Sequence, residues 1–149
     1  MIARSPSLAP AASLALLLSA SVACSGARRD PSACDVSRSA CTAAAGDVAV
    51  TLDLAPRPLR ALREIEVTVT LSRGGVPLEG AEASLALSMR GMYMGENETA
   101  LRPHGGGRHA GRVVVVRCAS GRRDWVAEVV ARLPGGGEAR ARFAFEVAE

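Results

Sequence analysis

The chain has 149 residues, enough for one modest domain with appendages, and sets 18 basic against 15 acidic side chains for a net charge of +3. Every residue in that basic count is arginine, scattered along the chain rather than gathered into a stripe. With aromatics at 3% of residues there is neither a basic face nor a stacking platform, so nucleic acid is set aside as a partner.

The chain opens on export signals. Arg4 supplies a short positive region, and Leu8 to Ala23 is small and apolar, with Pro10 near its start. The stretch is too short and alanine-rich for a membrane span, and residues 1–23 read as a signal peptide. It ends Ser21-Val22-Ala23-Cys24, which fits two processing routes. One is ordinary cleavage before Cys24, with Ser21 and Ala23 as the small residues. The other is lipidation of Cys24, in a lipobox with serine where leucine is usual. The expectation adopted is a lipid-anchored protein on the periplasmic, envelope side of a membrane. Residues 24–46 are rich in Ser, Ala, Arg and Asp without periodicity and read as a flexible tether. Within them Cys34 and Cys41 are close enough to pair in an oxidising compartment. A second small metal or redox site is the other reading, with His and acidic ligands sparse nearby.

The domain is expected over residues 47–149. Val48, Val50, Leu52 and Leu54 alternate with smaller or polar residues as a half-buried strand. Ile65, Val67, Val69 and Leu71 repeat the pattern before the turn Ser72-Arg73-Gly74-Gly75. Ala83 to Met89 gives a third strand, with Leu85, Leu87 and Met89 on one face. Gly95 to Gly111 reads mostly as loop. Arg112 to Cys118 is a strand dominated by four valines. Trp125 to Leu133 and Glu138 to Val147 follow, separated by a glycine hairpin, with Trp125 as a core anchor. Short strands, Gly/Pro turns and no amphipathic helix predict an all-β fold, an immunoglobulin-like antiparallel β-sandwich of about seven strands.

Three of the four methionines lie within Met89-Arg90-Gly91-Met92-Tyr93-Met94. Thioethers suit Cu(I), although methionine is also ordinary core filler. On an extended chain Met92 and Met94 share a face, and Gly91 and Gly95 flank them. They read either as a two-sulfur clamp or as packing at a sheet edge, while Met89 shares the parity of the core residues. If Cys24 is lipidated and Cys34 pairs with Cys41, Cys118 is left over. It reads as a copper thiolate, as an inert buried thiol, or as a link to a second molecule. His104 and His109, in the glycine-rich loop, read as solvated residues or as imidazoles completing a Met/Cys/His set, with His109 the better placed. Met89 and His104 are reserve ligands.

Catalytic signals are absent from the sequence. Gly105-Gly106-Gly107 lacks the Lys-Ser/Thr that a phosphate loop needs, no serine sits in a nucleophile elbow, and general bases are few. The chain reads as a binding protein rather than an enzyme.

Gly80-Ala81-Glu82-Ala83, Ser88-Met89-Arg90-Gly91-Met92-Tyr93-Met94-Gly95, Leu101, Gly107-Arg108-His109-Ala110-Gly111, Ser120-Gly121 and Trp125-Val126-Ala127-Glu128-Val129 together resemble the YtkA-like and FixH-like domains of bacterial envelopes. The resemblance runs from Val48 to Val147. It implies an immunoglobulin-like sandwich outside the cytoplasmic membrane, associated with copper handling or respiratory-oxidase assembly. Arg90 stands where the family usually has proline, and His109 where a tyrosine is usual. FixH-like members carry a membrane helix, whereas this chain has a cleavable-looking signal. The expected function is capture and delivery of Cu(I) by a tethered binding protein, with an oxidase or its assembly factor as partner. The rival reading is a metal-free structural or interaction module of an envelope complex.

Overall fold

The computed structural model describes residues 32–92 and 98–149. Ten strands account for most of them: β1 (Ser32–Asp35), β2 (Cys41–Ala45), β3 (Val48–Ala55), β4 (Glu64–Arg73), β5 (Val76–Pro77), β6 (Glu82–Met89), β7 (Glu98–Pro103), β8 (Arg108–Val114), β9 (Asp124–Arg132) and β10 (Glu138–Glu146). The fold is all-β, with no helix among the described residues.

Period-two alternation makes these strands. In β3 every second residue is buried, and it pairs antiparallel with β4 so that Val50 meets Leu71, Leu52 meets Val69 and Leu54 meets Val67. Cross-strand apolar pairs of this kind fix register, because a one-residue slip would turn every side chain outward. The core of β6, β9 and β10 is built the same way: Leu85 lies opposite Val129, Met89 opposite Trp125, and Trp125 opposite Phe145. Trp125 is 2% exposed and stacks on Phe145 with ring centroids 6.5 Å apart.

The strand order is β1-β10-β9-β6-β7-β8-β4-β3-β2, with β5 on β4. This is a nearly closed, barrel-like mixed sheet, in which β1 joins β10 in parallel. β7 spans the two halves, pairing with β6 along Glu98 to Leu101 and with β8 at Arg102 and Pro103. The path ends at β1 and β2, and a disulfide between Cys34 and Cys41 joins those two strands, with Cα atoms 5.8 Å apart.

Three expectations are corrected. The tether expected over 24–46 gives way to strand from Ser32: β1 and β2 belong to the sheet, and Val36 and Cys41 are almost wholly buried. Short Ser/Ala-rich segments carry little periodicity of their own, so their pairing comes from neighbouring strands and the disulfide. The loop expected over 95–111 contains β7 and the start of β8. Strand β7 carries no alternating pattern because Leu101 is its one buried residue. The strand expected to reach Cys118 ends at Val114, beyond which Leu62 N–H donates to the Val115 carbonyl at 2.8 Å outside the ladder. Ten strands thus replace the expected seven or so.

The registers define two ends. One carries the Met89–Met92 turn, the segments 56–63 and 115–123, and Val147 to Glu149, which interlock by Ala61 N–H to Ala148 O, Ala148 N–H to Leu59 O and Val147 N–H to Arg123 O. The other carries Ala81 and the hairpins 104–107 and 133–137. The bonds Ala55–Pro56 and Arg57–Pro58 are cis.

Candidate metal site

Met89 closes β6, 2% exposed, in the core. The chain then reverses: Met92 N–H donates to the Met89 carbonyl at 3.1 Å, and Gly91 takes φ 74, the left-handed conformation glycine adopts without a Cβ clash. Met92 emerges 41% exposed, on a turn rather than on an extended strand. Met94, its proposed partner, lies outside the described residues, as does Cys24.

Cys118 begins a second turn, closed by Gly121 N–H donating to the Cys118 carbonyl at 3.0 Å. Its half-exposed sulfur lies 3.0 Å from the Ser120 hydroxyl. That hydroxyl, the Ser120 backbone N–H and the Arg122 region hold the thiol below its ordinary range, favouring the thiolate that binds soft metals. Among the described residues Cys118 is the one free cysteine.

Arg122 joins the two turns. Its Nη2 donates to the Arg90 carbonyl at 2.9 Å, while Nε and Nη2 hold the two oxygens of Asp124 at 3.0 and 2.6 Å. The pairing lowers the Asp124 carboxyl, chiefly through these hydrogen bonds, and Asp124 in turn raises Arg122. Met92 and Cys118 therefore belong to turns bound to each other at one end of the barrel. The signal for this link was present as Ser120-Gly121-Arg122-Arg123-Asp124, a turn followed by an ion-pair spacing, but nothing local tied it to Arg90.

The histidines lie elsewhere. His109 is in β8, 3% exposed, and its Nε2–H donates to the Ala81 carbonyl at 2.8 Å. Nδ1 is buried without a partner. Ala81 precedes β6 and Met89 ends it, a separation of about 26 Å at strand rise. His109, expected as a co-ligand, is a core residue at the opposite end. His104 is exposed in the β7–β8 hairpin at that same far end, its N–H donating to the Arg108 carbonyl at 2.8 Å. It borders an open groove of about 680 Å³ lined by Glu66, Thr68, Thr99, Arg102 and Arg112 among others, which no sequence motif marked. Among the described residues no three His, Cys, Asp or Glu side chains are grouped to hold a metal ion. What the geometry brings together is therefore two sulfur-bearing turns, not a Met/Cys/His triad.

No protein-family model, curated protein or solved structure matches the chain.

Proposed function

We propose that the chain is an exported, membrane-tethered protein that captures Cu(I) at the Met92/Cys118 end and passes it to an envelope partner such as a respiratory oxidase or its assembly factor. The observation that carries this reading is the Arg122 hydrogen bond to the Arg90 carbonyl, which binds the Cys118 turn to the Met89–Met92 turn. Two soft donors on linked turns suit a soft monovalent ion, and the lowered thiol adds a negative ligand. Met94, one residue beyond Tyr93 in sequence, is the third sulfur of the proposal. The Cys34–Cys41 disulfide suits an oxidising, extracytoplasmic compartment. The finer fold reading is an immunoglobulin-like sandwich, its layers β1-β10-β9-β6 and β8-β4-β3-β2 spanned by β7. The resemblance to YtkA-like and FixH-like domains supports the same assignment.

Titration of the full chain with Cu(I) against a competing chromogenic chelator tests the site. One equivalent should bind, and Met92→Leu/Met94→Leu or Cys118→Ser should weaken it at least about 10-fold, the usual effect of losing one ligand interaction of about 1.4 kcal/mol. Unchanged binding in both variants would remove the site.

A second reading, a metal-free interaction module, is favoured by exposed apolar side chains: Leu62 is 59% exposed, Val114 52% and Val116 47%. It predicts no stoichiometric copper and a stable partner protein whose binding is lost on Val114→Ser/Val116→Ser.

A further inference from the structure

Leu62 is the one non-glycine residue with positive φ among the described residues, at 60°. For an L-residue this conformation brings Cβ against the following carbonyl, a strain that glycine avoids. The side chain recovers little by burial, being 59% exposed. Two main-chain hydrogen bonds hold the segment there: Ala61 N–H to Ala148 O at 3.0 Å and Leu62 N–H to Val115 O at 2.8 Å. A strained backbone that holds a leucine out from the fold marks a position to examine for a role outside it.

Its surroundings say what. Val116 and Met92, 47% and 41% exposed, are at the same end of the barrel. Arg60, Arg63, Arg90, Arg117 and Arg123 are all exposed there. Among the described residues none of these five makes a salt bridge to an Asp or Glu side chain; Arg60 Nη1 donates to the Glu149 main-chain oxygen at 2.9 Å, and Asp124, which Arg90 also attracts, is held by Arg122. Guanidinium groups bind phosphate oxygens two at a time and are weakly hydrated, which suits phosphodiester headgroups. The crevice at this end holds only about 10 Å³. It is too small to accept a partner's side chain, so what this end offers is protruding apolar groups among cations rather than a socket.

We infer that the Leu62 end of the barrel docks on an anionic phospholipid surface, with Leu62 and Val116 entering the interface and the arginines meeting the headgroups. Apolar side chains ringed by cations are the usual interfacial combination. Chain length agrees, in an argument that rests on the lipid-anchored reading proposed above. Ser32 aligns with Phe143, about 10 Å of strand from Glu146 at this end. The segment from Cys24 to Ser32 reaches at most about 28 Å, so an anchored chain can lay this end on its own membrane.

The test uses the full chain carrying Cys24→Ser, so that an environment-sensitive dye labels Cys118. Vesicles are phosphatidylglycerol–phosphatidylcholine mixtures or phosphatidylcholine alone, the N-terminal apolar stretch being common to both. A blue shift with the anionic vesicles, absent with phosphatidylcholine and abolished by salt, is expected. Arg60→Gln/Arg63→Gln/Arg117→Gln should lower the docked-to-undocked ratio about 100-fold, near fivefold per arginine. Leu62→Gly should reduce the shift while its thermal midpoint stays at or above that of the parent. Equal shifts with both vesicles, an unchanged triple variant, or a midpoint well below the parent's would overturn docking. An equal shift from soluble polyglutamate would overturn it too, in favour of an acidic protein partner. The anchor is judged separately, by the mass of the Cys24 peptide from envelope-isolated protein, and copper by the titration above. Each can therefore fail without the others.

Discussion

At His109 the imidazole donates through Nε2 to the Ala81 carbonyl, and Nδ1 is buried inside the barrel without a partner. The side chain serves the fold at the start of β6 rather than a metal at its end. His109→Leu removes the donor, strands a carbonyl, and should cost about 1–3 kcal/mol in urea unfolding, while Cu(I) affinity stays unchanged. A fall in copper affinity at constant stability would return His109 to the site. Glycines on its N-terminal side made this residue look like loop. In the structure Gly107 has φ 68, and a Cβ there would come within 2.4 Å of the Leu71 carbonyl oxygen, so the glycine marks a close approach to β4 and not slack chain. Met89 was legible from parity alone. Met92 was not, because the reversal at Gly91 breaks the strand periodicity on which a shared face with Met94 depends.

Among the elements, β3, β4, β6 and β10 were readable because each alternates buried and open residues over eight or more positions, and β9 because its apolar run, buried throughout from Trp125 to Ala127, alternates after that. β1, β2 and β7 were not, being short and owing their form to partners. Unpaired edge strands template association, and β1 and β2 are the two ends of the sheet path. The Cys34–Cys41 bond ties them together. Closing so short a loop restricts the unfolded chain modestly, by about 2–3 kcal/mol. Cys34→Ser/Cys41→Ser should lower the unfolding free energy by that amount, read as a fall in the denaturant midpoint, and speed amide exchange in β1 and β2 ahead of β9. An unchanged midpoint would mean that main-chain pairing and the buried Val36 hold the seam alone.

Across the whole molecule, the candidate site depends on two segments held together by Arg122 and Asp124. Asp124 titrates below its ordinary 3.8 because Arg122 hydrogen-bonds its carboxylate. The stabilisation from this pair is therefore fully present above pH about 3.8 and is lost as pH falls through the lower folded value. Cu(I) affinity should show no dependence on this carboxylate between pH 5 and about 8, the thiol aside, and should fall only in stronger acid. Asp124→Asn should reproduce the acid behaviour at neutral pH, with weaker Cu(I) capture and an almost unchanged fold, since the pair is exposed. Competitive titration from about pH 3 to 8 measures both, and an affinity insensitive to Asp124→Asn would separate the ion pair from the site. The sequence by itself determined the all-β class, most of the core and the concentration of methionine, because alternation and turn chemistry are written in consecutive residues. Only the tertiary structure decided that His109 meets Ala81, 28 positions away, that Arg122 meets Arg90, 32 positions away, and that Leu62 projects from an arginine-bearing end. Those meetings follow from strand order and register, which long-range hydrogen bonds and cross-strand packing set and no local pattern encodes.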